Sequence, residues 1–434
     1  MTQQLQQQFS QAYKDLDVFP LIEEEEIKAF RVDFANDTLE ELSALVEIAD
    51  DDAKIMFTGH RGCGKSTLLW QFAENMEKSG NYVVTIFSVA DLIEMSDINH
   101  VNILYSIAIT LLNKATEIKG LKISQETEGD LIDSLITTTS KTYTQEIKAK
   151  VGAGGNFFQI ITAMLKSEAG FREEIKKTYE PKVSELANKA NQIAALITAT
   201  TKKRILVVID DLDKLDLELL DKVYKNNIKS LCLPNFQIVY TIPIYAIRDQ
   251  QLRGILNGET NRIVYMRLAK FFKKGESRLP DILPNQDVLT VFSNILQKRL
   301  PQELIESETL EKIVLKSGGL VREMVRITRE CCLKCFILLK KQPNQTNIKI
   351  NQEIFQEAIT DLRNDFDRNL GSTGLDILAS TYYNNGWNNT ENSSDHNFLD
   401  LLHGLAVLEY NNGEVWYDVH PIVVDILRRK EKIQ

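Results

Sequence analysis

The chain has 434 residues and a formal net charge of −10, because 51 Lys and Arg stand against 61 Asp and Glu. Its 43% of hydrophobic and 26% of charged residues are usual for a globular protein and exclude an intrinsically disordered one. No apolar stretch approaches the roughly 20 residues that cross a bilayer, which excludes a membrane-spanning helix.

The first half of the chain has the pattern of an α/β protein. Residues 1–50 predict a polar helical segment that is interrupted at Pro20. From residue 54, short apolar runs alternate with helical stretches, as they do around a parallel sheet. The runs are rich in Val, Ile, Tyr and Phe with little alternation, which is typical of strands buried on both faces. The predicted strands are residues 54–58, 82–88, 204–209, 236–242 and 262–268.

Residues 121–203 form a long insertion between the second and third predicted strands. Their pattern is helical, and they are either a protruding element or extra helices packed on the sheet. Beyond residue 270 the strands give way to predicted helices at 286–300, 307–316 and 320–341.

The C-terminal region has the element order of a winged helix. Residues 405–410 and 414–418 flank Asn411-Asn412-Gly413, a preferred tight-turn sequence, and a last helix is predicted at 421–429. The predicted domains are therefore an N-terminal helical segment (1–50), an α/β core (51–275, with the insertion 121–203), a helical lid (276–345) and a winged-helix-like domain (346–434).

A phosphate-binding motif follows the first strand and opens a helix. It matches G-x-x-x-x-G-K-[ST] at every fixed position and reads Gly59-His60-Arg61-Gly62-Cys63-Gly64-Lys65-Ser66, followed by Thr67. The glycines let backbone N–H groups point at phosphate oxygens, and the helix N-terminus adds its positive dipole. Lys65 is expected to reach the β- and γ-phosphates and Ser66 to ligate Mg²⁺. Residues 59–67 are therefore the predicted nucleotide site of a P-loop NTPase fold.

A second motif is the run of carboxylates at the end of the third strand. Asp210 is expected to hold Mg²⁺, since a hard cation prefers oxygen ligands. Asp211 is placed to orient or deprotonate the attacking water. Asp213 either supports this network or caps the next helix. At least one strand separates the two motifs, which is the mark of the larger ATPase division.

With these motifs the chain resembles the AAA+ and STAND ATPases, in particular the origin-recognition-type initiators and the NACHT and NB-ARC switch proteins. The resemblance covers about residues 30–430. It implies that Thr241 is the sensor-1 residue, unless it is an ordinary strand-end Thr. Residues 317–323 resemble the sensor-2 pattern, in which Arg322 reaches phosphate from the lid, although a surface arginine is the alternative. Val321 stands where the NB-ARC version has Pro.

The resemblance also concerns the C-terminal histidine. His420 is similar to the His of the Met-His-Asp stretch that holds ADP, although Pro421 replaces the Asp, and an incidental helix cap is the alternative. Asp211 stands where most AAA+ proteins have Glu, and the shorter side chain often accompanies slow turnover. No arginine finger is distinctive; the candidates are Arg248, Arg253 and Arg262.

The sequence thus predicts a cytoplasmic ATPase switch whose ATP or ADP state controls conformation or oligomerisation. ATP and Mg²⁺ are the expected cofactors, and the expected partner is a protein or a second copy of the chain, with prokaryotic signalling or defence as the setting by analogy. The N-terminus lacks a signal-peptide pattern, and five Cys do not make a disulfide framework. The alternatives are an initiator-like DNA-binding ATPase and a nucleotide-binding protein with negligible hydrolysis. Residues 372–417 contain no Lys or Arg, which does not favour DNA.

Overall fold

The computed structural model describes residues 2–118, 135, 141–342, 344–345, 347–368, 370–384, 396–411 and 413–434. The chain divides into two compact units, each built from separate stretches. The sheet unit comprises Leu39–Thr58 and Leu69–Val264. The C-terminal unit comprises Met1–Thr38, Gly59–Leu68 and Tyr265–Gln434. The P-loop residues thus group with the C-terminal half of the chain, while the predicted domain boundaries stay predictions.

The predicted five-stranded parallel sheet is present. Four predicted strands are confirmed to within a residue at each end, and their side chains are almost all buried, as unbroken apolar runs require. In the sheet the strands follow the order β2-β3-β4-β1-β5, so β4 separates β3 from β1. The strand predicted between the two motifs in the sequence is β2, which is present and lies at the edge of the sheet. The strands are β1 (Lys54–Gly59), β2 (Tyr82–Ser88), β3 (Arg204–Asp210), β4 (Gln237–Pro243) and β5 (Arg262–Tyr265).

The fifth strand is shorter than the predicted 262–268, because β5 ends at Tyr265. The next residue, Met266, packs on the P-loop, and its carbonyl oxygen lies 2.7 Å from the position that a Cβ on Gly59 would take. The apolar residues that follow β5 are buried in this way without a strand partner. The composition of residues 262–268 therefore predicted the burial of the apolar residues after β5 correctly, but the predicted length of the strand was wrong.

The register of β2 on β3 determines which side chains meet at the carboxyl edge of the sheet. Tyr82 lies opposite Arg204 at one end, and Ser88 lies opposite Asp210 at the other. Because the strands are parallel, the ends of β1, β3 and β4 also face this edge. Ligands of open α/β sheets bind at such an edge.

The described part of the insertion packs onto the sheet unit. The helix Val183–Thr201 buries Ala190, Ile193 and Ile197 and contacts both the helix His100–Glu117 and β3. Of the two alternatives for residues 121–203, extra packed helices is the one that the described residues support; residues 121–134 and 136–140 lie outside them.

The described C-terminal unit is largely helical and carries one hairpin, β6 (Val407–Asn411) and β7 (Val415–Val419), which pairs antiparallel. The hairpin is confirmed, although Asn412 of its turn lies outside the described residues. The helix Val321–Lys341, called here the lid helix, turns its apolar face into a core with Phe9 and Phe292. Leu320, Met324, Ile327, Cys331 and Cys335, which define that face in the sequence, are all buried.

Helices make up most of the remaining described structure. None of those described is both long and apolar enough to cross a membrane. In chain order the α-helices are Thr2–Asp15, Glu24–Phe30, Asn36–Ile48, Lys65–Lys78, Val89–Leu92, His100–Glu117, Lys141–Gly152, Phe157–Ser167, Ala169–Tyr179, Val183–Thr201, Leu217–Leu220, Ile228–Leu231, Gln250–Glu259, Gln286–Gln297, Ser307–Lys316, Val321–Lys341, Gln352–Asp367, Ser372–Tyr383, His396–His403 and Pro421–Arg429.

Candidate functional site

The P-loop has the backbone that phosphate binding requires. Gly62 and Gly64 have φ angles of 82° and 106°, in the left-handed region that glycine tolerates best. Lys65, the first residue of the helix that follows, is almost fully buried, and its ammonium donates to the carbonyl oxygens of Gly59 at 2.9 Å and His60 at 2.7 Å. The loop and its lysine therefore fit a phosphate group, with the helix N-terminus beneath it.

The outer side of the loop is bound to the start of the lid helix. The Gly62 carbonyl accepts a hydrogen bond of 3.0 Å from the backbone N–H of Arg322. A Cβ at Gly62 would lie 2.8 Å from the Cβ of Arg322, so a larger residue would separate the two. The sequence predicts that Arg322 approaches the phosphate site from the lid, and its backbone does contact the loop. The role of its guanidinium stays a prediction.

Other loop residues contact further parts of the C-terminal unit. The His60 side chain is buried, and its Nε2 accepts a 2.7 Å hydrogen bond from the backbone N–H of Glu409 in β6. The Thr67 hydroxyl accepts from the backbone N–H of Leu21 at 3.1 Å. Cys63 is buried, whereas Arg61 and Ser66 are partly exposed. Ser66 is thus accessible for its predicted magnesium role, while the imidazole of His60 serves the contact with the hairpin.

The acidic residues at the end of β3 form a compact group in the sheet unit. Asp210, Asp211 and Asp213 are buried, and each offers a carboxylate oxygen within 4.8 Å of the others. Hard divalent cations such as Mg²⁺ prefer such oxygen ligands. The residues therefore fit the predicted metal role of Asp210.

Asp211 is held by several partners. Its φ of 70° is in the left-handed region, which is uncommon for a residue with a side chain. Its carboxylate accepts from the Ser88 hydroxyl at 2.7 Å and forms an ion pair with Lys214 at 2.7 Å. Its backbone N–H donates to Asp210 at 2.7 Å. The side chain predicted to be the base is therefore fixed in position and partly neutralised by a cation.

Thr241 connects both sides of this acidic turn. Its hydroxyl donates to the carbonyl of Ile209 at 3.2 Å and accepts from the backbone N–H of Leu212 at 2.9 Å. The side chain is fully buried. These two bonds tie Thr241 to the backbone on both sides of the acidic turn, and the sensor role that the resemblance implies stays a prediction.

His420 precedes the last helix and is fully buried. Its Nδ1 accepts a 3.2 Å hydrogen bond from the backbone N–H of Ile422, and its ring lies 5.1 Å from that of Phe366. Burial, and then the nearby Lys316, lower the pKa of His420 to about 3, so the imidazole is neutral at pH 7. Its Nε2 is buried and has no hydrogen-bond partner among the described residues. The helix-cap alternative is thus present, and the nucleotide role stays a prediction.

The three candidate arginine fingers differ in their surroundings. Arg253 is exposed on the helix Gln250–Glu259, and Arg248 is partly buried just before it. Arg262 is exposed and lies 3.6 Å from Glu41. These positions single out none of the three.

Several residues that contact the predicted site residues lie outside the sequence motifs. Ser88, Lys214 and Glu409 belong to no motif, and each acts through one contact with a motif residue. Ser88 alone was accessible to reasoning, because it ends a predicted strand at the carboxyl edge of the sheet, where the acidic strand also ends.

Comparison with known proteins supports the nature of the core. Residues 37–242 match the family model described as the KAP family P-loop domain, and this stretch includes the P-loop and the acidic turn. The core is a P-loop NTPase domain. No curated protein matches the chain in sequence.

The chain is also similar to solved structures. A single-substitution variant of RuvB from Thermotoga maritima has 14% identity, with 94% of this chain and 95% of that chain covered, at a TM-score of 0.34. Cdc6p from Pyrobaculum aerophilum has 11% identity, 94% and 99% coverage and a TM-score of 0.37. The Aeropyrum pernix Orc1 protein in complex with DNA has 10% identity, 93% and 94% coverage and a TM-score of 0.41. Likenesses at this level carry no argument about function.

Proposed function

We propose that the protein binds ATP at residues 59–67, hydrolyses it slowly and uses the difference between ATP and ADP as a conformational switch of the AAA+ and STAND kind. The observation that carries this proposal is the set of contacts that the P-loop makes within the C-terminal unit. The loop is bound to the lid helix through Gly62 and Arg322, and to the hairpin through His60 and Glu409.

These contacts supply a physical route from phosphate to conformation. A loop that closes around a phosphate must adjust its backbone, and Gly62 cannot move without altering its bond to Arg322. His60 transmits the same adjustment to β6 through a single short hydrogen bond. A ligand shifts a conformational equilibrium only through differential contacts with its states, and these two bonds connect the loop that would make those contacts to the lid helix and the hairpin.

The hydrolytic roles follow from the chemistry of the side chains. Bound ATP and Mg²⁺ would supply the transferable phosphoryl group and the cation that offsets its charge. Lys65 stabilises phosphate charge, and Ser66 and Asp210 offer oxygen ligands to the cation. Asp211 orients the attacking water. Ser88 holds the Asp211 carboxylate, and Thr241 holds the turn that carries Asp211 through the backbone N–H of Leu212. Arg322 adds positive charge from the lid.

The first test is phosphate release from ATP by the whole protein and by Lys65→Ala. Lys78→Ala is the matched control, because Lys78 ends the same helix and is exposed. We expect Lys65→Ala to abolish nucleotide binding and phosphate release, and the control to behave like the unchanged protein. Equal release by all three would overturn the proposed ATPase.

The second test measures the switch itself. The mass of the protein is determined by light scattering without nucleotide, with ADP and with a non-hydrolysable ATP analogue. A discrete oligomer with the analogue alone indicates assembly by copies of the chain, and Arg248, Arg253 and Arg262 are then substituted singly by Ala to find the arginine that crosses the interface. A monomer in all three states that still binds nucleotide indicates a switch controlled by another protein.

A nucleotide-binding protein with negligible hydrolysis is the second candidate. The carboxylate of Asp211 is already engaged by the Ser88 hydroxyl and by the ammonium of Lys214, and this observation favours the second candidate. Substitution Asp211→Asn separates the two candidates. Loss of phosphate release with retained ATP binding supports the catalytic role, whereas unchanged release contradicts it.

A further inference from the structure

The C-terminal unit contains a second cavity, which the P-loop does not line. Its walls come from the helix Ser307–Lys316, the helix Gln352–Asp367, the hairpin and the last helix, Pro421–Arg429. Its volume is 580 Å³. Small-molecule sites in proteins span about 300 to 1,000 Å³, so this cavity has the size of a ligand site.

The cavity is positively charged although the chain as a whole is acidic. Five cationic side chains line it, against the two carboxylates Asp418 and Asp425. Asp418 pairs with one of the cations at 2.5 Å, and Asp425 pairs with another at 2.6 Å. The other three cations form no ion pair with a carboxylate among the described residues. The five cations are Arg278, Lys312, Lys316, Arg363 and Arg428.

Three of these cations lie close to one another. The pKa of Lys316 is lowered first by burial and also by the charges of Arg428 and Arg363, while Asp425 opposes the shift. The buried Nε of Arg363 has no hydrogen-bond partner in the described part of the chain. Asp425 forms an ion pair with Lys316 alone among the three, so the like charges repel one another, and an added anion would relieve the repulsion.

Part of the cavity lining is aromatic. The rings of Tyr410 and Trp416 stack at 4.5 Å with an interplanar angle of 18°, and the guanidinium of Arg278 lies 4.4 Å from the centre of the Tyr382 ring. Trp416 is only 2% exposed, and its buried indole N–H has no acceptor among the described residues. The Trp416 ring is stacked on Tyr410 and also has the ammonium of Lys270 over it, 5.6 Å from its centre. A buried indole N–H normally finds an acceptor, so what this aromatic wall offers a ligand is an unused donor.

We propose that this cavity binds a phosphorylated small molecule with a flat ring, the chemistry of a mononucleotide, independently of the P-loop. Arg363, Arg428 and Lys312 hold the phosphate, and the indole N–H of Trp416 donates to the ring. The cavity also borders Gly318, whose carbonyl accepts from the Tyr410 hydroxyl at 2.9 Å. Gly318 belongs to the turn before the lid helix, so an occupant is positioned to act on the segment that contacts the P-loop.

The test begins by removing the P-loop site, with Lys65→Ala as the parent protein. Inorganic pyrophosphate and adenosine monophosphate are titrated into it by calorimetry. We expect one site for each probe and tighter binding of adenosine monophosphate, because its base adds the ring contact. Adding Arg363→Gln and Arg428→Gln is expected to weaken both probes about 100-fold, at roughly tenfold for each charged hydrogen-bonding group removed.

The control removes the same charge from the same two helices outside the cavity. Arg368 follows the helix Gln352–Asp367, and Arg429 ends the last helix; both are exposed and neither lines the cavity. Arg368→Gln with Arg429→Gln in the Lys65→Ala parent is expected to change both affinities less than threefold. Equal weakening by the two double variants would overturn the site, because a diffuse surface charge would then explain the binding.

Tryptophan fluorescence reports the ring contact. Adenosine monophosphate is expected to quench the emission of the Lys65→Ala parent, and Trp416→Phe is expected to remove that quenching while pyrophosphate affinity is kept. Absence of binding of both probes at millimolar concentration would overturn the proposal, as would binding of a single-stranded oligonucleotide but of neither small probe. Since the parent lacks the P-loop lysine, these outcomes are independent of whether the protein hydrolyses ATP.

Discussion

The buried histidine before the last helix makes the C-terminal unit sensitive to acid. His420 has a pKa of about 3 in the folded protein, against an ordinary value of 6.5, because burial and the nearby Lys316 disfavour the imidazolium. Between these two values the unfolded chain binds one proton more than the folded chain. The free energy of unfolding therefore falls as the pH drops from 6.5 toward 3 and is fully restored above 6.5.

The size of the effect follows from the shift. One pH unit within this window corresponds to about 1.4 kcal/mol for a single proton. Between pH 7 and pH 6 the histidine of the unfolded chain is only partly protonated, because its pKa is 6.5, so this unit contributes less than the full amount. We therefore expect His420 to reduce the free energy of unfolding by about 2 kcal/mol between pH 7 and pH 5. That amount is a large fraction of the stability of a typical domain.

The assay is urea unfolding followed by tryptophan fluorescence at pH 7, 6 and 5, on the unchanged protein and on His420→Asn. Asparagine retains an acceptor for the backbone N–H of Ile422 and does not titrate. The unchanged protein is expected to lose about 2 kcal/mol more than the variant over this range. His396→Asn, at an exposed histidine, should follow the unchanged protein. Parallel curves for the unchanged protein and His420→Asn would refute the argument that the buried imidazole stays neutral.

Three further predictions concern close contacts. Gly319→Ala should lower the free energy of unfolding in urea by about 3 kcal/mol, because the φ of Gly319 is 88° and the new Cβ would lie 2.2 Å from the backbone oxygen of Ala269. The control Gly371→Ala, at a glycine with open space around it, should lower it by less than about 1 kcal/mol. His60→Ala should cost about 1 to 3 kcal/mol by leaving the buried N–H of Glu409 without an acceptor, and an unchanged midpoint would contradict this. Thr241→Val should slow phosphate release while ATP affinity, measured by calorimetry, is kept.

The fold was largely predictable because its elements are strongly patterned. β2 and the last helix have the predicted bounds, since a run of β-branched and aromatic residues and a proline-led amphipathic helix leave little choice. The predicted fifth strand was too long, because buried residues in an extended conformation have the same composition whether or not they pair with another strand. Met266 packs on the P-loop, and no local sequence pattern distinguishes this packing from pairing in a strand.

The site was predictable to the extent that its chemistry resides in motifs. Lys65 and Asp210 stand in a spacing that phosphate and metal binding impose. The hydrogen bond of His60 to the hairpin could not be predicted from the sequence. Its partner Glu409 is 349 positions away and contributes a backbone N–H, which every residue but proline possesses. Thr241 illustrates a third case, since its place on the strand was correct while its hydrogen bonds serve the acidic turn.

The grouping of the P-loop with the C-terminal half bears on how the protein can be divided. The stretch that matches the KAP family model, residues 37–242, lacks Arg322, Met266 and Glu409. A chain cut to that stretch would expose the side of Gly62 that faces Arg322, and the loop would lose its contacts with Met266 and Glu409. Proteolysis after the sheet unit should therefore abolish nucleotide binding although every residue of the P-loop and of the acidic turn survives. In this protein the phosphate loop and the residues that support it lie far apart along the chain, so the loop cannot be separated from them by a single cut.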